Sequence, residues 1–115
     1  MNLTVTEKQS GKDVYILEMK GFIDTSTSSE LEDAMKKLYG EKKTKIVIDL
    51  AGTEFVSSAG WGAMVAYLRK VHTNGGDIKL SGMTEKVEKV FKLMEFNSLM
   101  ESFATSDEAA KSFKN

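Results

Sequence analysis

The chain has 115 residues, enough for one domain that buries roughly two thirds of the surface its unfolded form exposes. With 41% hydrophobic and 29% charged residues it falls in the soluble globular class, and sixteen basic against seventeen acidic side chains leave a net charge of −1, too little field to hold a nucleic-acid backbone. The absence of cysteine excludes disulfides, thiolate nucleophiles and cysteine metal sites.

The amino terminus, MNLTVTEKQSGK, carries no apolar signal region, and nowhere do about eighteen apolar residues run together. Neither export nor membrane insertion is expected, and the expected compartment is the cytoplasm. Leu3, Val5 and Glu7 alternate with Thr4 and Thr6, and Val14 to Leu17 form a short apolar run. Two strands joined by a turn at Ser10-Gly11-Lys12-Asp13 are predicted. Leu31, Ala34, Met35 and Leu38 then recur at helical spacing, with Thr27 and Glu30 as a capping box and Gly40 as the stop.

Ile46-Val47-Ile48 and Leu50 read as a central strand covered on both faces, followed by a turn at Ala51 to Glu54. A second helix carries Trp61, Met64, Val65, Leu68, Val71 and His72, and Asn74-Gly75-Gly76 ends it. Asp77 to Leu80 reads as a strand. Thr84 caps a third helix with Val87, Val90, Phe91 and Met94 on one face, a short strand is expected within Leu99 to Phe103, and Ser106 caps a last helix through Phe113. Strands alternating with helices predict an α/β fold: a mixed sheet of four to five strands with parallel crossovers and about four helices, in one domain over 1–115.

The segment Phe55-Val56-Ser57-Ser58-Ala59-Gly60-Trp61-Gly62 turns from strand to helix. Either serine can cap that helix, and capping needs only one of them. Gly60 and Gly62 each cost about 0.5 to 1 kcal/mol in a first turn relative to alanine. A bare backbone that lets another molecule approach the neighbouring hydroxyl would compensate. Trp61 faces the core with Met64 and Leu68, or anchors an interface together with Met64 and Met94. His72 has no second ligand at metal spacing and suits the helix carboxy terminus, and Glu85-Lys86 with Glu88-Lys89 reads as a solvated face. No paired carboxylates, nucleophile with its base, phosphate loop or metal cluster is visible in the sequence, so no enzymatic role, cofactor or metal is expected.

Asp49-Leu50, then Phe55-Val56-Ser57-Ser58-Ala59-Gly60, with Gly21-Phe22-Ile23-Asp24 ahead of the first helix, resemble the anti-sigma-factor antagonists of the STAS family. The resemblance runs on through Asp77 to Leu80 and Val87 to Phe103. It implies the STAS fold and a bacterial partner-switching role in transcription regulation. The unphosphorylated protein would sequester an anti-sigma factor that is also a serine kinase, and a PP2C-type phosphatase would reset it. The serine it implies as phosphate acceptor is Ser58, with Ser57 as the alternative, because Ser57 stands where the best-known members often carry aspartate. The partner-binding set expected with it is Asp24, Thr25, Thr27, Ser57, Ser58, Gly60, Trp61 and Met64, in a monomer or weak dimer. A competing reading is a STAS subunit docked permanently on a lipid or solute transporter, and a third is nucleotide binding by the domain itself.

Overall fold

Val14, Ile16 and Val47 turn to one side of the sheet, while Leu17, Met19, Ile46, Ile48 and Leu50 turn to the other, so the central strands are apolar on both faces. That pattern demands cover on both sides. The computed structural model describes residues 2–113 and provides it. Five strands, β1 (Leu3–Ser10), β2 (Val14–Ile23), β3 (Lys45–Val56), β4 (Asp77–Ser81) and β5 (Ser102–Phe103), lie in sequential order. β1 pairs antiparallel with β2, and every later pairing is parallel.

Parallel neighbours in sequential order need a crossover each time, and right-handed crossovers in one direction stack their helices on one face. α1 (Ser28–Gly40), α2 (Ser58–Thr73) and α3 (Glu85–Leu93) fill those crossovers and form the main core with that face. The opposite face is covered by the six-residue α4 (Ser106–Lys111), through Ala109 and Ala110, with Phe103 and Phe113 packed beside it. The α/β architecture, the hairpin and the order of elements are as the periodicity predicts.

Several local expectations are corrected. Ala51 to Glu54 is not a turn, because β3 runs through it to Val56. Thr53 is fully buried there and its Oγ1 donates to the Met19 carbonyl at 3.2 Å, while an added Cβ at Gly52 would lie 2.9 Å from Lys20 Cγ. The glycine marks close strand approach where the β2–β3 register shifts. Thr27 and Glu30 form no capping box: Thr27 donates its hydroxyl proton to the Phe22 carbonyl at 2.6 Å and makes no side-chain cap.

Gly40 is the last residue of α1, and the left-handed position after it falls on Lys42, at φ +62°. Thr105, not Ser106, caps α4, accepting from the Glu108 N–H at 3.1 Å, and the helix ends at Lys111. Thr84 caps α3 as predicted, but only Val87 and Phe91 of its apolar stripe are buried. The fifth strand is confined to two residues, and His72 Nε2 lies 2.9 Å from Asp77 Oδ1.

Candidate functional site

The strand-to-helix junction is set by the end of β2. Ser57 N–H donates to the Ile23 carbonyl at 2.7 Å, which ties the start of α2 to the strand beside it. Ser57 has extended backbone, φ −75° and ψ 167°, and its Oγ accepts from the Gly60 N–H at 3.2 Å. It is therefore the cap. Ser58 becomes the first helical residue, free of that duty and exposed at the positive end of a 16-residue helix.

Asp24 stands at the neighbouring tip, where β2 passes into α1. Its Oδ1 accepts from the Ser26 N–H at 2.9 Å, the Ser26 hydroxyl at 2.7 Å and the Thr27 N–H at 3.1 Å. The Ser26 hydroxyl above all, opposed by some desolvation and helped by Thr27, holds the Asp24 carboxyl below its ordinary range. A carboxyl depressed in the native state stabilises the fold above its unfolded pKa, and that contribution is lost as the pH falls through the native value. Asp24→Asn keeps one acceptor oxygen but drops the charge. Its melting temperature should lie below wild type at neutral pH, and the gap should close on acidification below about pH 4, as read from thermal unfolding across a pH series.

Of the other residues anticipated at a partner surface, Thr25 is exposed, but Thr27, Gly60 and Met64 are buried. These last three hold the site together from below. An added Cβ at Gly60 would lie 2.6 Å from Ile23 Cγ2 and 3.0 Å from Val56 Cγ1, so this glycine admits β2 and β3 rather than a visitor. Gly62 does face open space. Trp61 is only 3% exposed, and its ring stacks on Phe96 at 5.1 Å between centroids and leans on Phe91 at 5.8 Å. Of its two readings, core is the correct one. Its Nε1–H finds no hydrogen-bond partner among the described residues.

Above Trp61 runs an open groove of about 610 Å³ lined mainly by apolar side chains, with Phe22, Phe55, Val56, Val87 and Val90 along it and Asp24, Glu54 and Lys86 at its rim. It continues into a second recess of about 350 Å³ lined by Ser58, Gly62, Met94 and Phe96. The two share Val56, Trp61 and Val90, so Ser58 borders one apolar surface between α2 and α3. Phe55 (49% exposed), Val90 (41%) and Met94 (59%) line it without cover. Sequence reading gave Phe55 no place at the site and put Val90 only on one helix face with Val87, Phe91 and Met94, because helical phase says which residues share a stripe and not how far the sheet beneath extends.

The STAS domain pattern matches residues 5–109 of the chain. The anti-sigma-B factor antagonist of Staphylococcus epidermidis is 26% identical over 100 residues, which is 87% of this chain and 92% of the relative. A crystal structure of a putative anti-sigma factor antagonist from Thermotoga maritima superposes with a TM-score of 0.89 at 22% identity, over 96% of this chain and 95% of that one. The Bacillus cell fate determinant SpoIIAA in its phosphorylated form gives 0.75 at 17% identity, over 96% and 100%. At these identities the structural likenesses establish the fold.

Proposed function

Because the chain belongs to the STAS domain family, we propose that it is an anti-sigma-factor antagonist, a protein-binding switch whose state is set by phosphorylation of Ser58. The observation that carries this reading is the exposed Ser58 at the first turn of α2, bordering an uncovered apolar groove. The partner is an anti-sigma factor that acts as a serine kinase and seats apolar side chains in that groove. The reset belongs to a PP2C-type phosphatase, and both act in the cytoplasm. This chain supplies a hydroxyl, a groove and a charge-tolerant helix end, and the chemistry is the partners'.

In the kinase complex the Ser58 Oγ attacks the γ-phosphorus of ATP, a new P–O bond forms as the bond to ADP breaks, and the serine proton passes to a base of the kinase. The product carries about −1.5 to −2 charges and three strong acceptors. The free N–H groups at the start of α2 and the helix dipole accommodate it, so the fold tolerates the change. A groove sealed by a partner does not, since a desolvated dianion without a cation costs several kcal/mol. Ser57 is the less suited acceptor because its Oγ caps the Gly60 N–H, an interaction worth about 1 kcal/mol.

The curated relative is matched over nearly its whole length and bears the name of an antagonist, which supports partner switching over a transporter subunit. The direct test is incubation with the cognate kinase and ATP, followed by mass-spectrometric mapping. Phosphate is expected on Ser58, and phosphate found only on other residues rejects the assignment.

A further inference from the structure

Lys79, on β4, is the one charged side chain that is buried among the described residues, at 6% exposure, and nothing proposed above uses it. It pairs in register with Val47, so both face the side of the sheet opposite α1, α2 and α3. Its ammonium donates to Ser112 Oγ at 2.6 Å and lies 3.3 Å from Glu101 Oε1. It also sits 4.4 Å above the Phe113 ring and 5.7 Å from that of Phe103. Ser112 gives its own proton to the Ala109 carbonyl at 2.6 Å, so the lysine donates to this serine and does not activate it as a nucleophile.

A leucine at this position would fill the space without direction. An ammonium removed from water is costly unless it is compensated, and here a hydroxyl acceptor and a carboxylate come from two separate segments, the end of α4 and the approach to β5. The cation–π contacts add attraction to both segments. α4 is six residues long, too short to persist without tertiary contacts, and with Phe103 and Phe113 it covers Val14, Ile16 and Val47.

We propose that α4 with Ser112 and Phe113 is a strap across the back of the sheet, that the Lys79 ammonium clips it shut, and that the same clip steadies the connection forming one wall of the groove. The second link runs through the chain. The Glu101 backbone carbonyl also accepts from the Leu80 N–H at 2.9 Å, and the short 3-10 turn Phe96–Ser98 just before it presents the ring that stacks on Trp61. Opening the strap therefore loosens residues 96–103 as well as 106–113. The clip stands independently of phosphorylation at Ser58, and only its bearing on partner binding rests on that reading.

Hydrogen exchange by mass spectrometry on the full chain tests the strap. In Lys79→Met, which keeps the apolar stem and removes the cation, amides of residues 96–103 and 106–113 should exchange about tenfold faster while those of α1 and β1 keep their rates. Equal protection in the two proteins overturns the proposal, and so does acceleration spread evenly over the chain, which marks plain loss of stability. If Lys79→Met does not fold, Glu101→Gln serves in its place, since that carboxylate is largely exposed and its loss leaves the core filled. About threefold faster exchange at 96–103 is then expected, and unchanged protection there overturns the clip.

Discussion

Ser58→Asp is expected to weaken binding of the anti-sigma partner by about 100-fold or more, while Ser58→Ala binds as wild type does. The alanine keeps the groove and removes only an exposed hydroxyl. The aspartate sets a charge at the edge of the recess formed with Met94, Phe96 and Gly62, where a bound partner would exclude water. Burying that charge without a cation costs several kcal/mol, and each 1.4 kcal/mol is tenfold in affinity, so about 100-fold is a lower estimate for a true dianion. The fold should not suffer, because a carboxylate in the first turn of α2 contributes about 0.3 to 1 kcal/mol against the helix dipole. Titration calorimetry with the purified partner reads the first effect and thermal unfolding the second. Binding by Ser58→Asp within threefold of wild type would remove the switch, and an equal loss in Ser58→Ala would make the hydroxyl a contact and not a gate.

The largest effect on stability is expected at Trp61. Trp61→Ala should cost about 3 to 5 kcal/mol, the usual range for emptying a buried aromatic site. Two rings, Phe91 and Phe96, lose their partner at once, and the space left lies in the main core beneath the groove. For a domain of this size that lowers the melting temperature by more than about 10 °C. Trp61→Phe should stay within about 1.5 kcal/mol of wild type, because it keeps an aromatic face and removes an N–H that finds no partner inside. Chemical denaturation separates the two outcomes. Were Trp61→Ala to unfold like wild type yet fail to bind partner, the ring would belong to the interface and the packing described here would be wrong.

These two residues stand three apart in the chain and were not equally legible. Ser58 is flagged by a strand-like run that changes to helical spacing, a signal carried entirely by near neighbours. Which of the two serines caps is decided by the Ser57 Oγ accepting from the Gly60 N–H, with the Ser57 backbone held by the Ile23 carbonyl, a contact across more than thirty residues. Gly60 misled for the same reason. A glycine in a first turn reads as an opening for a visitor, and only the positions of Ile23 and Val56 show that the missing side chain makes room for two strands. The supposed turn at Ala51 to Glu54 failed because small and polar residues suit a turn locally, yet their backbone pairs with β2 across a shifted register.

From local information alone the chain declares its α/β class, the order of its elements, the hairpin, the stop of α2 and the hydroxyl-bearing junction. All of these depend on periodicity and capping within a few residues. The tertiary structure decided which serine is free, that Trp61 lies inside, that Val90 and Met94 lie outside, and that an apolar groove adjoins Ser58. Each of those outcomes depends on the distances at which β2, β3, α2 and α3 pack against one another. Such a distance is set by packing between segments remote in the chain, and no stretch of residues carries it by itself.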